Sequence, residues 1–152
     1  MIGYIVLIAI GVLLDQWTKM LVVNHLALGE TKPVLDKIFS LFYLQNKGAA
    51  WGILEGQRLF FLVITIAVVI VLVYLIYQNR NNGILVNLSY ALIAMGAIGN
   101  GIDRYRLGYV VDMIQLEFID FPIFNVADMC LTVGVILLIS YFILDEVRAH
   151  LG

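Results

Sequence analysis

Four long apolar stretches divide the chain, and each of them is long enough to cross a lipid bilayer. A membrane-spanning helix needs about 20 predominantly apolar residues. The four stretches run over residues 2–23, 59–77, 84–102 and 126–144, and the second and third contain no charged residue. The pattern therefore predicts an integral membrane protein, mainly α-helical, in which residues 1–152 form a single membrane domain with four transmembrane helices.

The polar sequence is concentrated in two long loops, residues 24–58 and 103–125, whereas the turn between the second and third spans, QNRNNG, is short. With four spans, both long loops emerge on the same side of the membrane, so one site can be built from both. Residues 38–44 and 109–118 are rich in β-branched and aromatic residues and predict short strands. A small β-sheet at the membrane surface follows.

The rest of the first long loop carries two weaker signals. Residues 24–35 contain Gly29 and Pro33 and are expected to form an irregular loop. Residues 48–54 (GAAWGIL) include Trp51, a residue type enriched at membrane interfaces, and are expected to re-enter the interface.

Composition agrees with this pattern. The chain is 62% hydrophobic and 13% charged, against about half apolar and about one quarter charged in a soluble domain. The net charge of -2 shows no basic excess of the kind that nucleic-acid binding requires, so no nucleic-acid partner is expected. The single cysteine, Cys130, excludes an internal disulfide and a multi-cysteine metal site. No cofactor is predicted.

Asp15 and Lys19 lie four residues apart in the first span and therefore share one face of its helix. Each unpaired charge would cost about 2.5–3.5 kcal/mol at the centre of a bilayer, so a mutual ion pair is expected. Lys19 lies one turn nearer the long loops. We expect it to point into a polar site as well.

The third span ends in the small-residue run MGAIGNG, which favours close helix packing. Asn100 within this run needs hydrogen-bond partners for its carboxamide. Asp103 and Arg104 follow directly. Arg104 either holds a carboxylate or a phosphate or extends towards the lipid headgroups, and the residue types leave both interpretations open.

Asp112 and Asp128 each lie near the edge of an apolar segment, where a carboxylate is costly and therefore a candidate for chemistry. Two carboxylates held together share a proton, so that one can activate water while the other protonates a peptide carbonyl. Asp128 also has a structural interpretation. With Asn125 as the N-cap of the fourth helix, it occupies the third helical position of a capping box.

Other functions remain open on the residues alone. A proton-coupled carrier or channel would distribute ionisable residues through the membrane depth, and a non-catalytic subunit would use its acids only as helix caps.

The motifs HExxH, GxSxG and GxGD are absent, which argues against the peptidases built on them. A divalent metal among Asp103, Asp112 and Asp128 is conceivable, but nothing in the sequence defines a coordination shell.

Five short blocks point to a family. They are DQWTK at residues 15–19, NKGAAWG at 46–52, GNGIDR at 99–104, VVD at 110–112 and FNVAD at 124–128. In this order and in register with four spans, they resemble the bacterial lipoprotein signal peptidases (signal peptidase II), which are aspartic peptidases. The resemblance implies an endopeptidase that removes the signal peptide from diacylglyceryl-modified prolipoproteins, cutting on the N-terminal side of the lipidated cysteine.

The resemblance also implies roles for individual residues. It makes Asp112 and Asp128 the catalytic pair and implies the cyclic peptide globomycin as an inhibitor. Membrane lipids are implied partners, and nothing in the sequence requires more than a monomer. The residues that the resemblance implies shape or support the site are Asp15, Lys19, Asn46, Gly48, Asn100, Asp103, Arg104 and Asn125.

Orientation in the membrane is the one point on which the resemblance and a physical rule disagree. The resemblance places the long loops and the site on the extracytoplasmic face of the bacterial cytoplasmic membrane. The positive-inside rule favours the reverse, because the long loops hold six Lys or Arg residues and the opposite side only Arg80 and Arg148. We follow the resemblance, since Lys47 and Arg104 belong to its motif blocks. The six are Lys32, Lys37, Lys47, Arg58, Arg104 and Arg106.

Overall fold

The computed structural model describes residues 1–48, 54–79 and 83–151. The helices are α1 (Ile2–His25), α2 (Arg58–Gln78), α3 (Ile84–Arg106) and α4 (Val126–Leu151), and the strands are β1 (Thr31–Leu35), β2 (Phe39–Asn46) and β3 (Val110–Leu116). Each of these four helices is long and apolar enough to cross a membrane. The predicted mainly α-helical membrane fold with a small sheet is confirmed.

α3 occupies the centre of the helix bundle. It packs against α1, α2 and α4, and 67% of its most apolar stretch is buried, against 11% for α2 and for α4. Glycines bring the neighbours close. A Cβ atom at Gly96 would collide with the backbone of Ala127, and one at Gly99 would lie 3.0 Å from the Cβ of the same alanine. A Cβ at Gly101 would lie 2.7 Å from Thr65 of α2. The small-residue run therefore serves helix packing.

The three strands form one antiparallel sheet in the order β1-β2-β3. β2 and β3 are paired so that Leu44 lies opposite Asp112 and Asn46 lies opposite Val110. The sheet packs against the end of α1 through an apolar cluster, which holds β3 close to the helix bundle. The buried members of this cluster are Val22, Leu26, Tyr43, Val111 and Met113.

All four helices are longer than predicted, and the difference is largest for α3 and α4. α3 continues to Arg106, so Asp103 and Arg104 belong to its last turns and not to the loop 103–125. Basic side chains are favourable there because they complement the helix dipole. α4 continues past residue 144 to Leu151, since its polar last turns contain Glu, Arg and Ala, which favour helix.

The prediction of a loop over residues 24–35 was wrong at both ends, because residues 24–25 belong to α1 and residues 31–35 form β1. Pro33 does not prevent this, because β1 is an exposed edge strand and its unpaired side needs no backbone N–H donor. Most of the interfacial re-entry predicted over residues 48–54 lies outside the described residues.

Candidate active site

Asp112 lies in β3, and both oxygens of its side chain accept hydrogen bonds from carboxamides. Asn125 Nδ2 donates to Oδ1 at 2.6 Å, and Asn46 Nδ2 donates to Oδ2 at 2.9 Å. The side chain is 1% exposed. Asn46 reaches it because β2 and β3 are antiparallel neighbours.

Asp128 lies in the first turn of α4, where it forms a reciprocal cap with Asn125. The Asp128 backbone N–H donates to Asn125 Oδ1 at 3.0 Å, and the Asn125 N–H donates to Asp128 Oδ2 at 3.1 Å. Oδ1 of Asp128 accepts a separate hydrogen bond from Asn100 Nδ2 at 2.7 Å. The cap occupies one oxygen only, so capping and a role in a site are compatible. We call Asp112 and Asp128 the cavity pair, because both line one cavity of the protein.

Two carboxamides join the members of the cavity pair, and their partners determine their orientation. Asn100 Oδ1 accepts from Lys19 Nζ at 3.0 Å. Because an ammonium only donates, Asn100 must turn its NH₂ group towards Asp128. Asn125 Oδ1 accepts a backbone N–H, so its NH₂ group faces Asp112 and also donates to Asn100 Oδ1 at 3.1 Å.

Asn46 and Gly48 connect the sheet to the last turns of α3. The Gly48 N–H donates to Asn46 Oδ1 at 2.9 Å, which leaves the Asn46 NH₂ group facing Asp112. The Gly48 carbonyl accepts from Arg104 Nη2 at 3.0 Å. The Arg104 guanidinium also lies 4.5 Å from the centre of the Phe61 ring, a cation–π contact. Protein groups therefore hold Arg104 beside the site.

Asp15 and Asp103 form a second pair of carboxylates, which we call the supporting pair. Lys19 Nζ lies 2.9 Å from an oxygen of each, and all three side chains are at most 3% exposed. The expected contact between Asp15 and Lys19 is thus present. Lys19 also donates to Asn100 and so reaches the polar site at the same time.

Each member of the supporting pair also holds a backbone N–H directly before a member of the cavity pair. Asp103 Oδ2 accepts from the Val111 N–H at 3.1 Å, and Asp15 Oδ1 accepts from the Ala127 N–H at 2.9 Å. The next residues in sequence are the two aspartates of the cavity pair. The supporting pair therefore fixes the backbone from which both carboxyl groups project.

Hydrogen bonds and ion pairs link all the site residues singled out in the sequence into one continuous network. These residues are Asp15, Lys19, Asn46, Gly48, Asn100, Asp103, Arg104, Asp112, Asn125 and Asp128. Sequence reasoning passed over Gln16, whose Nε2 lies 2.9 Å from Asp103 Oδ1. The signal was available, since a carboxamide inside an apolar span needs partners.

A cavity of about 660 Å³ opens beside the cavity pair. Its polar wall includes Asn46, Asn100 and Arg104, and most of the remaining wall is apolar. Large side chains of α2 and α4 that line the cavity are themselves widely exposed on the surface of the bundle, so the cavity is open to the surroundings of the helices. They are Ile64, Met129 and Val133.

The pKa of Asp112 is raised to about 7, first because burial disfavours the charged form and second because the Asp128 carboxylate is near. The hydrogen bonds from Asn46 and Asn125 act in the opposite direction. A carboxyl group with this pKa is partly protonated at neutral pH, which suits it to proton transfer.

A metal centre finds no support in the described ranges. They contain no group of three or more His, Cys, Asp or Glu side chains that could hold a metal ion. Asp103, the third carboxylate considered for such a site, faces Lys19 instead.

The chain is similar to known proteins over nearly its whole length. The family model for signal peptidase (SPase) II matches residues 7–144. A lipoprotein signal peptidase of Enterococcus faecalis is 49% identical over 152 residues, covering 100% of this chain and 94% of that protein. One from Streptococcus pyogenes serotype M5 is 54% identical over 128 residues, or 84% of each chain. A bacterial membrane enzyme solved by the in meso method superposes with a TM-score of 0.91 at 38% identity, covering 95% of this chain and 89% of that one.

Proposed function

The chain belongs to the signal peptidase II family, and from this membership we propose that it hydrolyses its substrates between the carboxyl groups of Asp112 and Asp128. It is a multi-pass membrane peptidase that removes signal peptides from prolipoproteins. The observation that carries the proposed site is the cavity pair itself. Two carboxyl groups from separate elements are joined through Asn125 and line one cavity.

The proposed reaction needs one proton shared by the cavity pair. The ionised carboxylate takes a proton from a water molecule as the water oxygen attacks the scissile carbonyl carbon, and the protonated carboxyl donates to the carbonyl oxygen. When the tetrahedral intermediate breaks down, the C–N bond is cleaved and the proton taken from water passes to the leaving nitrogen. The carboxylate that protonated the carbonyl oxygen takes a proton back from the intermediate, which restores the starting state of the pair. The raised pKa of Asp112 favours Asp112 as the acid and Asp128 as the base of the first step.

The asparagines hold this pair in position. Asn100 and Asn125 donate to the carboxylates without bringing a positive charge, so they orient the oxygens and still allow a proton to bind. Orientation of this kind matters, because small misplacements of reacting groups reduce rates strongly.

We propose that the substrate is a prolipoprotein whose cysteine carries a diacylglyceryl group, and that cleavage occurs on the N-terminal side of this cysteine. The cavity supports this assignment, since its apolar walls on α2 and α4 continue onto the lipid-facing surface. Acyl chains can therefore remain in an apolar environment while the peptide reaches the carboxyl groups. Globomycin as an inhibitor belongs to the same proposal.

We further propose that the protein is a monomer of the bacterial cytoplasmic membrane with the sheet and the cavity pair at the extracytoplasmic face. The charge rule opposes this orientation, but two of the six cations on that side have structural partners. Arg104 contacts Gly48 and Phe61, and Arg58 donates to the Tyr105 carbonyl. Their presence there has a reason other than membrane topology.

Cleavage of a diacylglyceryl-modified prolipoprotein by the purified protein tests the proposed site. Asp112→Asn and Asp128→Asn are each expected to lower kcat by about 10³-fold, because each removes one partner of the proton transfer. Substrate binding, measured separately, should be retained. Asp145→Asn is the matched control, since Asp145 is an exposed aspartate on the same helix as Asp128. Cleavage by a folded Asp128→Asn variant at a rate near that of the wild type would reduce Asp128 to a helix cap.

A further inference from the structure

Gln16 lies on α1 between the supporting pair, and its side-chain nitrogen meets three acceptors. Nε2 is 2.9 Å from Asp103 Oδ1, 3.2 Å from Asp15 Oδ2 and 3.2 Å from the Gly99 carbonyl oxygen. Carboxylate and carbonyl oxygens only accept hydrogen bonds, so the NH₂ group must be the end of Gln16 that faces them.

Gln16 and Lys19 contact the same two carboxylates. Asp15 accepts from Lys19, from Gln16 and from one backbone N–H, and Asp103 accepts from the same three kinds of donor. The supporting pair is therefore bridged twice, once by an ammonium and once by a neutral amide. Two bridges constrain the relative position of two carboxylates more than one does.

Lys19 cannot take over the hydrogen bonds that Gln16 makes to Asp15 and Asp103. Its ammonium has three protons, and it already has three partners, namely Asp15, Asp103 and Asn100. Oδ1 of Asp103 accepts from Gln16, whereas Lys19 and the Val111 N–H both bind Oδ2.

We propose that Gln16 is a positioning residue that sets the separation of the two carboxyl groups of the cavity pair. Asp103 holds the backbone before Asp112, and Asp15 holds the backbone before Asp128. By joining Asp103 to Asp15, Gln16 joins β3 to the start of α4. The inference rests on the proposed function, because it takes the cavity pair as the catalytic carboxyls.

The separation of the cavity pair has a measurable consequence beyond the rate. Repulsion between two nearby carboxylates spreads the two apparent pKa values of the pair. If Gln16 is lost and the carboxyls move apart, repulsion weakens and these values approach each other. The bell-shaped pH profile of kcat/KM then becomes narrower.

The test measures kcat, KM and the pH profile for cleavage of a diacylglyceryl-modified prolipoprotein. Gln16→Met keeps the length of the side chain but removes its donors. Gln16→Asn keeps the amide but shortens its reach. Each variant is expected to lower kcat by about 10-fold, to leave KM within roughly twofold and to narrow the pH profile. If Gln16→Met does not fold, as judged by thermal unfolding, Gln16→Asn provides the test.

Thr18→Val is the matched control, because Thr18 lies in the same turn and its hydroxyl donates only to a carbonyl of its own helix at 2.8 Å. Wild-type behaviour of both Gln16 variants overturns the inference. A fall in kcat with a pH profile of unchanged width also overturns it, since that result indicates a loss of packing only. Retained cleavage by Asp112→Asn or Asp128→Asn would instead contradict the proposed function.

Discussion

The supporting pair and the cavity pair are built from the same residue type within one hydrogen-bond network, yet their surroundings differ. Asp15 and Asp103 share an ammonium group and each accepts a backbone N–H. Asp112 and Asp128 accept from carboxamides and one backbone N–H, and they line the cavity. Among the described residues, no Lys or Arg lies within hydrogen-bond distance of either member of the cavity pair.

The groups around a buried carboxylate determine whether it is structural or chemically available. The ion pairs with Lys19 occupy the carboxylates of Asp15 and Asp103, which therefore serve to hold the structure. Neutral donors orient a carboxylate and leave it able to exchange a proton with a substrate. The protein uses its one buried lysine to fix the first pair, and through the backbone the first pair fixes the second.

Removal of the Lys19 ammonium group should lower the free energy of unfolding more than changes at Asp112 or Gly99 do. Lys19→Met leaves two buried carboxylates without a counter-charge, and breaking a buried pair in this way costs about 3–5 kcal/mol. We expect a correspondingly lower free energy of unfolding at pH 7, measured by thermal or chemical unfolding in detergent micelles.

Lys32→Met is the control for this prediction, because Lys32 lies on the exposed edge strand β1. Its effect should stay within about 0.5 kcal/mol. Equal stabilities of the Lys19→Met and Lys32→Met variants would show that the supporting pair does not depend on the ammonium group.

The free energy of unfolding should depend on pH through the buried carboxyl group of Asp112. The pKa of Asp112 is about 7 in the folded protein and 3.8 in the reference state, so the folded state binds this proton more tightly. Its contribution to stability is complete below about pH 4 and is lost as the pH rises towards 7. Asp112→Asn cannot ionise, so its stability relative to wild type should increase over this interval, by roughly 4 kcal/mol at most.

Unfolding of both proteins at pH 4 and at pH 8 measures this change. Coupling to Asp128 distributes the titration over the pair, which is why the value is an upper limit. A stability difference that does not change between pH 4 and pH 8 would mean that folding does not raise the pKa of Asp112.

Much of the fold was predictable, because lipid imposes a simple requirement on sequence. Four apolar stretches of sufficient length appear as four helices. The ends were less predictable, since charged residues such as Asp103 and Arg104 are tolerated in the last turn of a helix as well as in a loop. Pro33 gave a misleading signal. A proline would disrupt a central strand, but β1 is an exposed edge strand, where a proline is tolerated.

The positions of the acids could be predicted, but their partners could not. Asp112 and Asp128 stood out by lying next to apolar segments, whereas the contact between Lys19 and Asp103 depends on how α1 and α3 are rotated against each other. The spacing of residues within one helix does not determine that rotation. Gln16 gave a signal as a carboxamide within an apolar span, but its contact with Asp103 depends on the same rotation.

A smaller change at the contact between α1, α3 and α4 should disturb both pairs together. A Cβ atom at Gly99 would lie 2.7 Å from Asp15 Oδ2 and 3.0 Å from the Cβ of Ala127. Gly99→Ala therefore pushes Asp15 and the start of α4 away from α3, at a cost of about 1–3 kcal/mol. Since Ala127 precedes Asp128, kcat should fall along with the free energy of unfolding.

Gly3→Ala provides the comparison for Gly99→Ala, because nothing lies within 4 Å of a Cβ atom at Gly3. Both changes replace a helical glycine by alanine and add one methyl group, but only the methyl group at Gly99 meets neighbouring atoms. If Gly99→Ala matched Gly3→Ala in both unfolding and kcat, the close approach of Asp15 to α3 would not be needed. The backbone link between the supporting pair and the cavity pair would then lose its structural basis, and the two pairs would have to be regarded as independent.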